Sequence, residues 1–397
     1  MTDLERILSL WRELEAADAD YVLATVVEVQ GSSYRKPGAC MLLNSNGRRA
    51  GTVSGGCLEA QVAQRAWWLT ADGPTIQRYS TLEEDGDLPY GSGCGGVIFL
   101  LLERRATAAP LLRALEQAFT QRIPIAVATV LESSHLGRRA FSSIHDHASG
   151  TAKRDEVQDR QLPPIHAELQ ELANLAIEKS TSFDRGISIG GIEVRAWANF
   201  RPARPGLWIF GAGDDAQPVL SLAKGLGWFV AVADGRSHLA TRDRFQAADE
   251  LRVLSLPELR ASQSTKSPPK ALANLRPHDA AVLMTHSFEQ DTHILASLLS
   301  IHHQLAYIGV LGPHRRTREL LAEAARLLNL SPSAAPSIDS QIERWLSQLH
   351  APMGLDLGAD SSETIALSVL AEIQKSLTAA TALPLRKVRA VSMATHG

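Results

Sequence analysis

A cysteine in a glycine-rich turn is the feature of this sequence that most directly suggests chemistry. The run Ser54-Gly55-Gly56-Cys57-Leu58-Glu59 joins a predicted strand to a predicted helix over residues 58–69. A thiol in the first turn of a helix lies near unpaired N–H groups and the positive end of the helix dipole, so it loses its proton more easily and an anion can bind beside it. Cys57 is therefore a candidate reactive thiol or part of an anion cradle. The simpler alternative is a small buried apolar residue.

Two other segments of the N-terminal part have similar composition. Cys94 lies in the glycine cluster Gly91-Ser92-Gly93-Cys94-Gly95-Gly96, where backbone without side chains can approach a ligand closely. The loop at residues 31–38 follows a predicted strand and is either an anion site or a solvated hairpin end. Its hydroxyls and cations are Ser32, Ser33, Arg35 and Lys36.

A dinucleotide-type glycine motif begins at Gly211. The run Gly211-Ala212-Gly213-Asp214-Asp215-Ala216 follows a predicted strand and precedes a predicted helix, and Asp234 comes about 23 residues later. This context predicts a Rossmann-like fold. Asp234 could hold a ribose hydroxyl, with Arg236 beside it. Asp214 and Asp215, however, place negative charge where a diphosphate would bind, so the motif predicts the fold more firmly than it predicts a nucleotide.

Two later strand ends also carry polar residues. His286 follows a predicted strand at residues 280–284, and Gly312 and Arg315 follow another at residues 305–310. Open α/β sheets bind ligands at the carboxyl ends of their strands, and guanidinium groups suit phosphate. A metal site using His286 lacks the tight spacing of zinc motifs, and its neighbours can equally cap a helix; a basic helix start is the plain alternative for Arg315.

The pattern of elements predicts a mixed α/β N-terminal domain and a C-terminal Rossmann-like domain with a doubly wound parallel sheet. Alternating apolar segments form a compact unit over residues 1–105, and a connecting region with a polar insertion at about 134–186 covers residues 106–204. Asn46-Gly47 and Gly190-Gly191 predict hairpin turns within these two regions. Strand, helix and strand then follow one another over residues 205–375, and residues 376–397 form a tail.

Composition excludes several classes of protein. Among 397 residues, 40 Lys and Arg are balanced by 43 Asp and Glu, which argues against nucleic-acid binding. We expect no membrane span, because no apolar stretch approaches about 18 residues, and the N-terminus has amphipathic helical spacing rather than a signal peptide. Three cysteines are too few for a disulfide framework and indicate a reducing compartment. These features predict a cytoplasmic protein.

Taken together, the motifs resemble those of the XdhC/CoxI family. The likeness covers about residues 5–105 and 200–375 and follows the same order along the chain, with Ser54-Gly55-Gly56-Cys57-Leu58-Glu59 as its most specific part. The resemblance implies an accessory protein of xanthine dehydrogenase and related molybdenum hydroxylases. Such a protein binds molybdenum cofactor, protects it while a cysteine desulfurase helps to install the terminal sulfido ligand, and delivers it to the apoenzyme. It is a cofactor chaperone without turnover of its own, and the resemblance also implies a homodimer.

The resemblance also implies roles for individual residues. Cys57 would contact the cofactor and is a candidate molybdenum contact, while Arg35 and Lys36 would neutralise its phosphate. The wider set of predicted cofactor-binding residues is Ser32, Ser33, Ser54, Gly55, Gly56, Glu59, Cys94, Gly211, Gly213, Asp234, Arg236, His286, Gly312 and Arg315. The alternative function is an NAD(P)-dependent oxidoreductase that uses the Rossmann domain. The cargo is either molybdopterin or its cytosine dinucleotide form, and the sequence does not name the client enzyme.

Overall fold

The structure is a computed structural model that describes residues 2–56, 58–80, 96–143, 164–265, 272–300, 305–328 and 338–388. The chain divides into two compact units, residues 1–204 and 205–397. Two of the candidate residues, Cys57 and Cys94, lie outside the described residues. No helix in the described ranges is both long and apolar enough to cross a membrane.

The first sheet of the N-terminal unit is antiparallel. Its five strands lie in the order β3-β2-β1-β5-β4, and the predicted hairpin around Asn46-Gly47 is confirmed as the connection between β2 and β3. The elements in chain order are α1 (Asp3–Ala16), β1 (Tyr21–Gly31), β2 (Cys40–Asn44), β3 (Arg49–Gly51), α2 (Glu59–Leu69), β4 (Thr75–Ser80) and β5 (Gly96–Arg104).

The central strand β1 is buried on both faces because helices cover both sides of this sheet. Side chains alternate between the two faces of a strand. Accordingly, Tyr21 and Leu23 belong to a core with residues of α1 and α3 (Arg105–Gln121). Val22 and Ala24 belong to a core on the opposite side, built with α2. This packing fixes α2, and with it the glycine-rich turn that precedes it.

Four strands within residues 125–143 and 183–201 form a second antiparallel sheet in the order β7-β6-β9-β8. Its elements are β6 (Ile125–Val130), β7 (Arg139–Ser143), α4 (Pro164–Lys179), β8 (Phe183–Ile189) and β9 (Ile192–Arg201). The described part of the polar segment at 134–186 therefore supplies β7, α4 and the start of β8, and α4 packs against the sheet through buried Leu and Ala side chains. Val27 and Leu101 of the first sheet share a small apolar cluster with Trp197 of the second.

The C-terminal unit confirms the predicted doubly wound parallel sheet. Its strands lie in the order β12-β11-β10-β13-β14, and each neighbouring pair is parallel. In chain order the elements are β10 (Gly206–Phe210), α5 (Ala216–Gly225), β11 (Phe229–Asp234), β12 (Glu250–Val253), α6 (Leu256–Thr265), β13 (Ala280–Leu283), α7 (Phe288–Leu299), β14 (Tyr307–Val310), α8 (His314–Leu327), α9 (Ile338–Gln348) and α10 (Ser362–Thr378).

The strand order determines where polar residues can meet. Helices α5 and α10 contribute to the core on one face of the sheet, and α6 to α9 contribute to the core on the other. The first strand of the unit, β10, lies between β11 and β13, so the chain leaves it toward one side and later continues on the other. In such folds the crevice at the carboxyl ends of these strands is the usual ligand site.

Candidate functional site

The glycine-rich turn before α2 is folded around the carboxylate of Glu59. Oε1 of Glu59 accepts hydrogen bonds from the N–H groups of Val53 and Ser54 at 3.1 and 2.9 Å. Oε2 accepts the hydroxyl of Ser54 at 2.7 Å and the N–H of Gly56 at 3.0 Å. The Ser54 hydroxyl in turn accepts the N–H of Leu58 at 3.0 Å. The turn is therefore tied to its own helix on both sides of position 57.

Burial and hydrogen bonding act in opposite directions on Glu59, which is only 2% exposed. Burial alone would raise the pKa of its carboxyl, but donors from Ser54 and the neighbouring backbone hold the pKa below its usual value. The carboxylate is thus charged at neutral pH. In the turn that the sequence suggests as an anion cradle, the N–H groups of Val53, Ser54 and Gly56 bind the protein's own carboxylate.

The loop at residues 31–38 lies against this turn through Tyr34. A Cβ on Gly55 would lie 3.0 Å from Cδ1 of Tyr34, so the ring packs closely against the backbone of Gly55. Tyr34 is nevertheless 74% exposed, which leaves most of its ring open to solvent. The sequence predicted cations in this loop but not this aromatic surface. A tyrosine beside two cations, in a loop bounded by Gly31 and Gly38, is the sequence signal that could have identified it.

The side chain of Arg35 lies next to the Tyr34 ring and is held by Asp3 and Thr52. Its Nη2 lies 2.6 Å from Oδ2 of Asp3 in α1 and also donates to the hydroxyl of Thr52. Its Nε–H is buried without an acceptor among the described residues. Lys36 of the same loop is exposed. One of the two predicted cations is therefore fixed, and the other points into solvent.

The start of β5 at Gly96 lies beside the same loop. Gly31 of β1 pairs with Gly96, and a Cβ on Gly96 would lie 2.1 Å from the carbonyl oxygen of Ser32. The hydroxyl of Ser33 is buried without a hydrogen-bond partner in the described part of the chain. Segments 31–35, 52–56 and 58–59 and the start of β5 thus converge. We call them the loop cluster.

The Rossmann glycine motif is hydrogen-bonded to an aspartate at the end of the next strand. Oδ2 of Asp234, at the end of β11, accepts the N–H of Ala212 at 2.7 Å. Arg236 binds the same carboxylate through Nε at 3.0 Å and Nη2 at 2.8 Å, and donates to the carbonyl of Thr285. Asp234 is only 1% exposed. Burial would raise its pKa, but the hydrogen bonds from Arg236 and Ala212 hold it below the usual value. Both of its oxygens therefore bind groups of the protein itself.

The acids after the glycine motif are also paired. Asp214 forms an ion pair with Arg244 at 2.8 Å, and Oδ2 of Asp215 lies 3.0 Å from Nε2 of His286. His286 has a φ of +60°, a left-handed conformation that is uncommon for residues other than glycine. At Gly213, a Cβ would approach Oδ1 of Asp215 to 2.6 Å. The start of α5 is thus occupied by carboxylates, which is unfavourable for a diphosphate.

The segments that follow β13 and β14 are also joined by hydrogen bonds and an ion pair. Buried Asp291 accepts the hydroxyl of Thr285 at 2.7 Å and pairs with Nη2 of Arg316 at 2.6 Å. Arg316 also donates to the carbonyl of Leu311. The predicted residue Arg315, in contrast, is 91% exposed and pairs with Glu319. Gly312 has a φ of +116°, and a Cβ there would contact Arg316.

The structure brings Asp215 and His286 together, and it brings Asp234 and Arg236 together. It places no three His, Cys, Asp or Glu residues in metal-binding proximity within the described ranges. At the carboxyl ends of the strands of the second unit, side chains therefore bind one another. The loop cluster of the first unit keeps an exposed aromatic, a fixed cation and donors that have no partner among the described residues.

A two-unit chain with these motifs and this sheet order is matched by two family descriptions. Residues 14–80 match the XdhC and CoxI family, and residues 207–373 match the XdhC Rossmann domain. The chain is 33% identical over 364 residues to a probable xanthine dehydrogenase subunit from Bacillus subtilis (strain 168), covering 89% of this chain and 92% of that one. This protein belongs to the XdhC and CoxI family.

Two further relatives agree with this assignment. The molybdenum cofactor insertion chaperone PaoD of Escherichia coli (strain K12) is 27% identical over 361 residues, covering 89% of this chain and 82% of that one. A crystal structure of a xanthine dehydrogenase from Bacillus halodurans superposes with a TM-score of 0.65 at 26% identity, and 96% of each chain is covered.

Proposed function

We propose that this protein binds molybdenum cofactor as cargo and inserts it into a xanthine dehydrogenase-type molybdenum hydroxylase. The observation that carries the proposal is the loop cluster, in which Tyr34, Arg35 and the turn containing Gly55 and Gly56 lie together. The likeness to a relative named as a molybdenum cofactor insertion chaperone supports it. Both the geometry and the relative favour binding and transfer over turnover.

The residues of the loop cluster suit the separate parts of this cargo. The cofactor combines a planar pterin, a dithiolene-bound metal and a phosphate. Tyr34 offers an open ring face for stacking, and Arg35 with Lys36 offers positive charge for phosphate. Gly55 and Gly56 allow the ligand to approach bare backbone, and a soft sulfur donor at Cys57 suits molybdenum.

Glu59 has a different role in this proposal. Its carboxylate accepts four donors inside the turn and is buried, so we assign it to positioning the turn and not to contacting the cargo. Ser54 acts with it, since its hydroxyl connects Glu59 to the N–H of Leu58. Together they hold fixed the backbone on either side of Cys57.

Further steps of the proposed role concern partners. The protein protects the cofactor while a cysteine desulfurase supplies the terminal sulfur, and it then passes the cofactor to the hydroxylase apoenzyme. A homodimer in the cytoplasm is part of the same proposal. At the carboxyl ends of the Rossmann strands, the protein's own side chains bind the groups that NAD(P) would need. Asp234, for example, accepts the N–H of Ala212, and this supports cargo carriage over NAD(P) chemistry.

A transfer assay tests this function directly. Protein isolated from a molybdenum-replete host is mixed with cofactor-free xanthine dehydrogenase, and xanthine oxidation is followed. We expect the mixture to gain activity while the protein alone shows none. A protein that carries neither molybdenum nor pterin, and gives the apoenzyme no activity, would contradict the proposal.

A further inference from the structure

A small cavity lies beneath the loop cluster in the N-terminal unit. It has a volume of about 130 Å³ and is lined by parts of α1, α3, β2, β9 and the loop that follows β1. Its polar wall consists of Asp3, Arg35, Cys40 and Arg201, and aliphatic side chains of α1 and α3 form the opposite wall. A water molecule takes up about 30 Å³ in the liquid, so the cavity has room for a small polyatomic group.

The charges of this wall are not balanced. Arg35 pairs with Asp3, but Asp3 also pairs with Arg6. Arg201 donates to the carbonyl of Gly38 and lies 3.6 Å from Sγ of Cys40. No carboxylate pairs with Arg201 within the described residues. Partly buried charges in proteins are usually paired, but Arg201 has no carboxylate partner among the described residues. The two arginines of the wall therefore carry more positive charge than Asp3 can balance.

The wall also has spare hydrogen-bonding capacity. The buried Nε–H of Arg35 has no acceptor among the residues that the structure describes. The carbonyl of Gly38 fixes Arg201, because the N–H of Gly38 is itself tied to Val26 of β1 at 2.8 Å. Planar guanidinium groups match the oxygens of phosphate, and a fixed guanidinium loses little freedom when it binds.

We propose that this cavity is a binding site for a phosphate monoester group, with Arg201 as its principal cation and Arg35 as its second. This inference rests on the proposed function, in which the group is the phosphate of the carried cofactor. It adds a residue from β9, more than 160 positions beyond the loop at Arg35, to a site that the sequence motifs place entirely near the N-terminus.

Calorimetry and thermal unfolding of the full chain with inorganic phosphate test the site. Phosphate at constant ionic strength should bind saturably and raise the melting temperature relative to chloride. Arg201→Gln should weaken phosphate binding by about tenfold or more, as expected for a lost charged hydrogen bond. Arg201→Lys keeps the charge without the planar fork and should weaken it less. Arg185→Gln, at an exposed arginine of β8, is the control and should bind as the wild type does.

The outcomes separate this inference from the proposed function. Equal phosphate binding by wild type and Arg201→Gln, or no effect of phosphate beyond that of chloride on the wild type, would overturn the site. If Arg201→Gln does not fold, the site is tested by Arg201→Lys, which should bind phosphate more weakly than the wild type, and by the comparison of phosphate with chloride on the wild type. If the protein binds phosphate through Arg201 but never carries molybdenum, the phosphate site is supported and the proposed chaperone function is contradicted.

Discussion

Ser54 donates to Glu59 twice, through its N–H at 2.9 Å and through its hydroxyl at 2.7 Å. Through this pair and the other N–H groups of the turn, Glu59 occupies the donors that an anion would otherwise bind before α2. The backbone on either side of Cys57 is consequently fixed from within the protein. A ligand at this turn would meet glycine backbone and the Tyr34 ring, while the N–H groups beneath remain bonded to Glu59.

The first prediction concerns Glu59→Gln. An amide cannot accept all four donors and brings N–H groups of its own against them, so we expect a loss of about 2–4 kcal/mol in the free energy of unfolding. Hydrogen exchange should accelerate at the amides of Val53, Ser54 and Gly56. Asp72→Asn, at an exposed carboxylate after α2, is the control. Unchanged exchange at these three amides would show that Glu59 does not hold the turn.

The second prediction follows from the lowered pKa of Glu59. Because its pKa is lower in the folded protein than in the unfolded chain, the carboxylate stabilises the fold fully above the unfolded value of about 4.3, and this stabilisation is lost as the pH falls through the folded value. The difference in unfolding free energy between wild type and Glu59→Gln should therefore be constant from pH 7 to about 5 and shrink below about 4. A difference that does not change with acidity would contradict this.

The third prediction concerns Asp234 and the nucleotide question. Since Asp234 holds the N–H of Ala212, Asp234→Asn should speed hydrogen exchange at Ala212 and cost about 2–4 kcal/mol. Calorimetry should find no NAD binding in the micromolar range in the wild type. Micromolar NAD binding that Gly213→Val abolishes would instead revive the oxidoreductase alternative.

The fourth prediction concerns the open ring of Tyr34. Stacking on an aromatic side chain contributes about 1–3 kcal/mol per base in nucleic-acid complexes, and a pterin offers a comparable planar ring. Tyr34→Ala should lower affinity for the cofactor by roughly tenfold, while Tyr34→Phe keeps it, as measured by the pterin retained at equal protein concentration. Trp68→Ala removes an equally exposed aromatic from α2 and serves as the control. Equal losses in all three variants would contradict stacking on Tyr34.

Local signals in the sequence predict much of the fold. The Asn46-Gly47 hairpin, the turn at Gly190-Gly191 and the strand–helix–strand pattern after residue 205 are all confirmed, because turn chemistry and periodicity act over a few residues. The short edge strand β12 was not predicted, since its half-exposed residues Glu250–Val253 carry little apolar signal. Helix α9 was also missed.

The site was less predictable because its contacts span the chain. The sequence identified Glu59 and Asp234 as candidates, but a spacing does not reveal that a carboxylate turns inward to bind backbone N–H groups. The position of Arg201 beside Gly38 depends on how β9 pairs within the second sheet, and that pairing is a tertiary event. Cys57 and Cys94 lie outside the described residues, so their roles stay predictions.

The most direct test of the central claim is the molybdenum and pterin content of the purified chain, measured for the wild type and for Cys57→Ala. The protein is taken from a molybdenum-replete host, and Ser45→Ala in the exposed β2–β3 turn is the control. We predict substoichiometric molybdenum and pterin in the wild type and the control, and a clear reduction in Cys57→Ala. Equal cofactor content in Cys57→Ala and wild type would remove Cys57 from the mechanism, and no cofactor in any of them would contradict the account.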